Sequence, residues 1–186
     1  LLPGLAPFAT DQSFQRNEFN IRFTTSAGQK GTVVAKYRNM LMSYDTAALA
    51  ALLDRSENLL GFEFAYAFLP ETKLVGEFRY QDIAYDTGAA LKDKDSNFLL
   101  VGFDHNPGEN LLLSGRVGGE DRSRANGDDT TSPYIELSSR WNYADGSFLS
   151  GGYTYTIEEP SDTISYTDTR VNRLFVNLQH RLTALI

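Results

Sequence analysis

Apolar and polar residues alternate with a period of two along most of the chain. The pattern is clearest over residues 64–80, FAYAFLPETKLVGEFRY, where Phe64, Tyr66, Phe68, Leu74, Gly76, Phe78 and Tyr80 share one parity and Ala65, Ala67, Val75, Glu77 and Arg79 share the other. A period of two places alternate side chains on opposite faces of a strand. The break at Leu69-Pro70-Glu71-Thr72 therefore predicts a hairpin.

The same pattern predicts nine strands: Arg16–Thr25, Thr32–Met42, Asn58–Phe68, Lys73–Tyr85, Asn97–Asp104, Leu111–Glu120, Tyr134–Tyr143, Phe148–Ile157 and Val171–His180, with a tenth starting at the C-terminus. Short turn sequences fall near residues 28, 70, 108, 145 and 183, spaced by about 42, 38, 37 and 38 residues. Two strands, one tight turn and one longer loop account for that period. Longer polar segments at 45–57, 86–96, 121–131 and 158–169 alternate with the tight turns, and Ala47 to Leu53 in the first of them reads as a short loop helix. An up-and-down meander follows, with the tight turns at one end and the long loops at the other.

Composition narrows the class. The chain has 186 residues, 41% hydrophobic and 12% aromatic, enough for one β-rich domain. It contains no cysteine, which removes disulfides and thiolate chemistry, and its net charge of −7 without a basic run argues against nucleic acid. The longest apolar run, Ala47 to Leu53, is too short for a membrane helix. Membrane-spanning strands need only about 9 to 11 residues with apolar side chains on alternate positions. Residues 1–14 read as an extension or the remnant of an export signal, 15–186 as a β-barrel domain, and the start without Met and the end on RLTALI as a piece of something longer.

Three features bear on which face meets water. The polar parity carries long charges, Arg22, Lys36, Arg38, Glu63, Glu77, Arg79, Arg116, Glu136 and Arg140, and these are the candidate pore-lining residues. On the apolar parity, Tyr37, Tyr66, Tyr80, Trp141, Tyr143, Tyr153 and Tyr155 fall towards strand ends, as ring-bearing residues do at a hydrocarbon–water boundary. The four long segments hold thirteen carboxylates against five basic residues, so the loops would carry the net charge and the strands would be near neutral. A soluble antiparallel protein, such as a carbohydrate-binding surface module, also alternates. It would ordinarily use Greek-key crossings, and rows of Phe and Tyr would overfill a small soluble barrel. Glycines 61, 76, 102, 115, 118, 119, 151 and 152 lie within strands, where a barrel uses them to bend and to pass aromatic neighbours.

The hairpin LLGFEFAYAFLPETKLVGEFRYQDIAYD and the C-terminal TDTRVNRLFVNLQHRLTALI resemble outer-membrane β-barrel proteins of the porin type from Gram-negative bacteria. The resemblance covers most of residues 15–186 and rests on pattern more than on any fixed motif. It implies an all-β, antiparallel transmembrane barrel of about nine to ten visible strands, incomplete, acting as a passive channel for small polar solutes in the bacterial outer membrane. A non-conducting anchor or adhesin barrel is the alternative. Its partners would be outer-membrane lipid and lipopolysaccharide, with a homo-oligomer compatible, the tight turns in the periplasm and the long loops outside.

Enzymatic chemistry is poorly served. The two histidines, His105 and His180, lie in or beside tight turns, at the end away from the long loops, and no nucleophile pairs with them by pattern. Asp93, Asp95 and Asn97 in DKDSN alternate oxygen ligands as calcium loops do, but lack the glycine and glutamate that complete such a loop. Solvated loop charge is the plainer reading, and no cofactor is expected.

Overall fold

A computed structural model describes residues 13–86, 92–125, 127, 129–158 and 169–182. Nine strands form one sheet in the order of the chain, each antiparallel to the next: β1 (Phe14–Ala27), β2 (Gly31–Tyr44), β3 (Arg55–Leu69), β4 (Thr72–Tyr85), β5 (Lys94–Gly108), β6 (Leu111–Arg124), β7 (Thr130–Ala144), β8 (Ser147–Glu158) and β9 (Thr169–Gln179). Among the described residues one helix occurs, α1 (Ala47–Leu53), in the loop between β2 and β3 as its sequence suggests. The meander is as expected. Among the described residues β1 and β9 do not pair, so the sheet is open. The turn near 183, the start of a tenth strand, residues 1–12 and most of the segment 158–169 lie outside the described residues.

The pairing shifts register just before three of the turns, between Ala67 and Leu69, His105 and Gly108, and Asn142 and Ala144. Pro70-Glu71 links β3 to β4, Glu109-Asn110 links β5 to β6, and Asp145-Gly146 links β7 to β8. Gly146 takes φ 70° and Gly28, between β1 and β2, takes φ 72°, the left-handed region that a glycine enters without steric cost.

The strands are longer than the alternation suggested. β5 starts at Lys94 rather than Asn97, β6 runs to Arg124 rather than Glu120, and β7 begins at Thr130 rather than Tyr134. Lys94-Asp95-Ser96 and Asp121-Arg122-Ser123-Arg124 are polar on both parities, so they extend the ladder without an apolar signal. The segments 86–96 and 121–131 are thereby shortened, as is 45–57, since β3 starts at Arg55. Arg55, Lys94, Arg122 and Arg124, read as loop charge, belong to strands, but Glu57, Asp95, Asp121 and Glu158 move with them, so the strands stay near neutral. His105 also lies on a strand, opposite Leu113, rather than in a turn.

The two faces are unlike. Leu99 is 71% exposed, Leu100 0% and Val101 61%, so successive residues of β5 alternate between open and closed surroundings. The closed face is the concave one. Arg79 on β4 reaches Tyr134 and Glu136 on β7, three strands away. Three inter-strand steps of about 4.8 Å make a gap of roughly 14 Å on a flat sheet. Side chains stand nearly perpendicular to a sheet, so the Arg79 and Tyr134 groups meet across that gap where the sheet curls about this face.

Two glycines mark the curvature. A Cβ at Gly102 would run into the Gly115 carbonyl oxygen and the Arg116 side chain, and one at Gly152 would meet the Phe175 ring at 2.5 Å. Both positions sit on the concave side by register with Arg116 and with Phe175.

Candidate functional site

The concave face is where the charged residues of neighbouring strands meet. Cross-strand register sets Val34 beside Glu63, Glu63 beside Glu77 and Glu77 beside Leu100, while Gly102 faces Arg116 and Arg116 faces Glu136. At the middle of this face Glu77 is 3% exposed. Arg79 donates to both of its oxygens, Nε to Oε1 and Nη2 to Oε2, each at 2.9 Å. Lys36 Nζ donates to Glu63 at 2.8 Å and to Glu77 at 3.1 Å, and Arg116 Nε lies 3.8 Å from Glu77. One carboxylate thus serves three cations from β2, β4 and β6.

The network continues across the curve. Arg79 Nη1 donates to the Tyr134 hydroxyl at 3.1 Å, and that hydroxyl donates to Glu136 at 2.8 Å. Arg116 Nη1 sits 2.9 Å from Asp104 and donates to the Phe103 carbonyl at 2.9 Å. Phe98, Leu100 and Tyr134 pack among these groups, with the Phe98 and Tyr134 rings edge to face at 5.7 Å. Apolar neighbours and paired charges together exclude water from the middle of the face. A buried charge is tolerated in such a place only when paired and hydrogen-bonded.

Cavities lie on both sides of this layer. Towards the tight turns, a space of about 530 Å³ is bordered by Lys73, Asp104, Ser114, Ser138, Arg140 and Phe175, among others. Towards the long loops, a space of about 540 Å³ receives side chains from all nine strands, from Arg16 on β1 to Arg173 on β9. The ion-pair layer forms the floor of the second space through Arg79 and Tyr134.

Of the nine candidate lumen residues, Lys36, Glu63, Glu77, Arg79, Arg116 and Glu136 come together in the network. Arg38 lines the wide space near the long loops. Arg140 lies near the tight turns, donating to Asn142 at 3.0 Å with its guanidinium 3.9 Å from the Phe148 ring centre. Arg22 shares the parity but stands exposed on edge strand β1, opposite Lys36. Sequence reasoning missed Tyr134, Asp104, Glu120, Lys94, Arg55 and Arg122. Tyr134 and Glu120 share the parity of Glu136 and Arg116, which is the signal that would have found them.

The opposite, convex face is apolar. Leu60, Phe62, Phe64 and Tyr66 on β3, Leu74 and Phe78 on β4, Leu99, Val101 and Phe103 on β5, and Leu174, Val176 and Leu178 on β9 are all exposed. Tyr37, Tyr66, Tyr80 and Trp141 are exposed on this face, and Tyr143, Tyr153 and Tyr155 are half-buried on it. Two tyrosines bond to a polar residue one strand away, Tyr37 to Asn58 at 2.9 Å and Tyr153 to Asn172 at 2.7 Å. Tyr143 and His180 meet at 3.0 Å near the tight turn.

Asp95 and Asn97 sit on the same convex parity of β5, opposite Asp82 and Tyr80. Asp93 instead accepts from the Tyr85 amide at 2.7 Å, tying the loop to β4. The three are not arranged as one ligand set, and among the described residues no group of three His, Asp or Glu could hold a metal ion. The His105 ring pairs with Thr72 at 2.8 Å. Comparison with protein-family models, curated proteins and solved structures finds no match to this chain.

Proposed function

We propose that the chain forms the wall of a transmembrane β-barrel, convex face against lipid and concave face towards a lumen, serving as a porin-like passage for small polar solutes in a bacterial outer membrane. One observation carries the reading. Among the described residues, twenty-eight large hydrophobic residues are exposed and only eleven hydrophobic residues are buried, an inversion that water does not tolerate over so wide a surface. No described helix is long and apolar enough to cross a membrane, so strands would do so. From Leu60 to Phe68, β3 covers about 26 Å, which at a tilt near 40° is roughly 20 Å of height, close to the ≈ 25 Å band of known barrels.

Burial of Glu77 and Leu100 favours a second reading, a barrel closed at its middle that acts as an anchor or adhesin through its loops. In lipid both sheet edges need hydrogen-bond partners, and whatever strands supply them set the bore.

Refolding from urea with and without detergent micelles, read as a heat-dependent mobility shift, tests membrane insertion; a cooperative fold in plain buffer would reject it. Conductance in planar bilayers then separates passage from closure. Passage predicts conductance in the wild type and altered conductance in Glu77→Ala/Arg79→Ala. A silent wild type that the double variant opens identifies a closed lumen, and an open channel that the double variant leaves unchanged sinks the lumen assignment of β4.

A further inference from the structure

Between the ion-pair layer and the tight turns, one residue from each of β4 to β9 falls on a single row across the concave face. Lys73 faces Asp104, Asp104 faces Ser114, Ser114 faces Ser138, Ser138 faces Gly152, and Gly152 faces Phe175. Lys73, Asp104, Ser114, Ser138 and Phe175 all line the cavity of about 530 Å³. The small side chains in the middle of the row leave a trough with a charged end and an aromatic end.

Phe175 stands out on this face. It is 46% exposed, whereas Phe98 and Leu100 of the same face are buried. The ring leans inward over β8 and not outward across the open edge of the sheet, since a Cβ at Gly152 would lie 2.5 Å from its Cε1 and 2.7 Å from its Cζ. A glycine at 152 therefore lets the ring rest on the sheet beside the trough.

The polar groups near the ring are held in place. Asp104 Oδ1 lies 2.9 Å from Arg116 Nη1, and Arg140, also in the lining, donates to Asn142 and stacks over the Phe148 ring. Ser138 is exposed, and Ser114 and Ser150 are half-buried in the same lining. Each hydroxyl can both donate and accept. Among the described residues the lining carries two bases, Lys73 and Arg140, and two acids, Glu71 and Asp104, a mixture that bonds hydroxyl groups without favouring either sign of charge.

We propose that this cavity binds a neutral sugar ring, with Phe175 as the platform on which the ring stacks. A pyranose carries C–H groups on its faces and hydroxyls around its rim. Stacking one face on Phe175 takes apolar surface of both partners out of water, while the rim hydroxyls meet the serines, Asp104 and Arg140. An apolar contact with a few placed polar groups, in a volume of this size, is the usual make-up of a small-molecule site.

The inference rests on the lumen reading, deepening it to a solute class, and the two fail separately. The test is calorimetric titration of the full chain with glucose, cellobiose and glycerol, in buffer or in micelles of a detergent without a sugar headgroup, whichever folds it. Wild type should bind both sugars but not glycerol, which has hydroxyls and no ring face. Phe175→Leu keeps an apolar side chain without a flat face and should weaken glucose about tenfold, the upper end for an aromatic contact. Phe175→Tyr should retain most of the binding, and Leu174→Ala, beside it on the convex face, should leave it unchanged. The proposal is overturned if wild type binds neither sugar, if glycerol binds as well as glucose, or if Phe175→Leu matches wild type. Sugar binding without conductance rejects passage and leaves the site; conductance without sugar binding rejects the site and leaves passage.

Discussion

Removing the Glu77 carboxylate should unsettle the sheet far more than removing the half-exposed Glu136 on the same concave face. Its side chain is 2% exposed and meets Arg79 twice at 2.9 Å, Lys36 at 3.1 Å and Arg116 at 3.8 Å. At an effective dielectric near 20, each such pair is worth about 4–5 kcal/mol of gross attraction, set against several kcal/mol of desolvation per ion. Truncation removes the attraction and leaves three cations to share Glu63, Asp104 and the half-exposed Glu136, so Glu77→Ala should cost about 3–5 kcal/mol. Glu77→Gln keeps the volume and loses the charge, and should lose most of the same amount. Glu136, whose side chain is 43% exposed and 3.5 Å from Arg79, is the control: Glu136→Ala should cost about 0–1 kcal/mol. Urea unfolding of each variant, in the medium where wild type folds, reads these differences as shifts in midpoint at constant slope. If Glu77→Ala lies within about 1 kcal/mol of Glu136→Ala, the network does not hold the curve of the sheet and the reasoning is refuted.

Other substitutions test other links. Leu100→Ala, at a side chain with 0% exposure, should cost about 2–5 kcal/mol in the same unfolding assay, while Leu99→Ala beside it costs under about 1 kcal/mol. Leu99→Arg should lower stability in lipid vesicles by about 2–4 kcal/mol if that position lies at mid-bilayer depth, and a loss below 0.5 kcal/mol would put the convex face in water. Gly102→Val, driven against the Gly115 carbonyl and Arg116, should reduce the yield of the heat-sensitive folded band several-fold, whereas Gly76→Val, with open space around it, should not.

The described strands, the helix α1 and the sorting of apolar and charged side chains onto opposite faces were legible because a period of two survives along the strand centres. The strand ends were not. Where both faces become polar, as at Asp121-Arg122-Ser123-Arg124, alternation carries no contrast and a strand looks like a loop. That one ambiguity hid part of the wide cavity's lining, because Arg55, Lys94 and Arg122 were counted among the loops. Apolar residues on the charged parity, Val34, Phe98 and Leu100, were likewise unremarkable in sequence. Their packing around Glu77 depends on curvature that brings β4 to β7, and no local pattern encodes it.

The lipid-facing assignment of the convex surface has one direct probe, the single tryptophan, Trp141, 51% exposed on β7 near the Asp145-Gly146 turn. Its fluorescence can be measured in vesicles of lipids brominated at different depths. Strong quenching by bromines close to the headgroups, weaker quenching by bromines near the chain ends, and protection from aqueous iodide are expected. Fluorescence quenched by iodide as fully with vesicles as without them, and untouched by brominated lipid, would place Trp141 and the apolar rows around it in water.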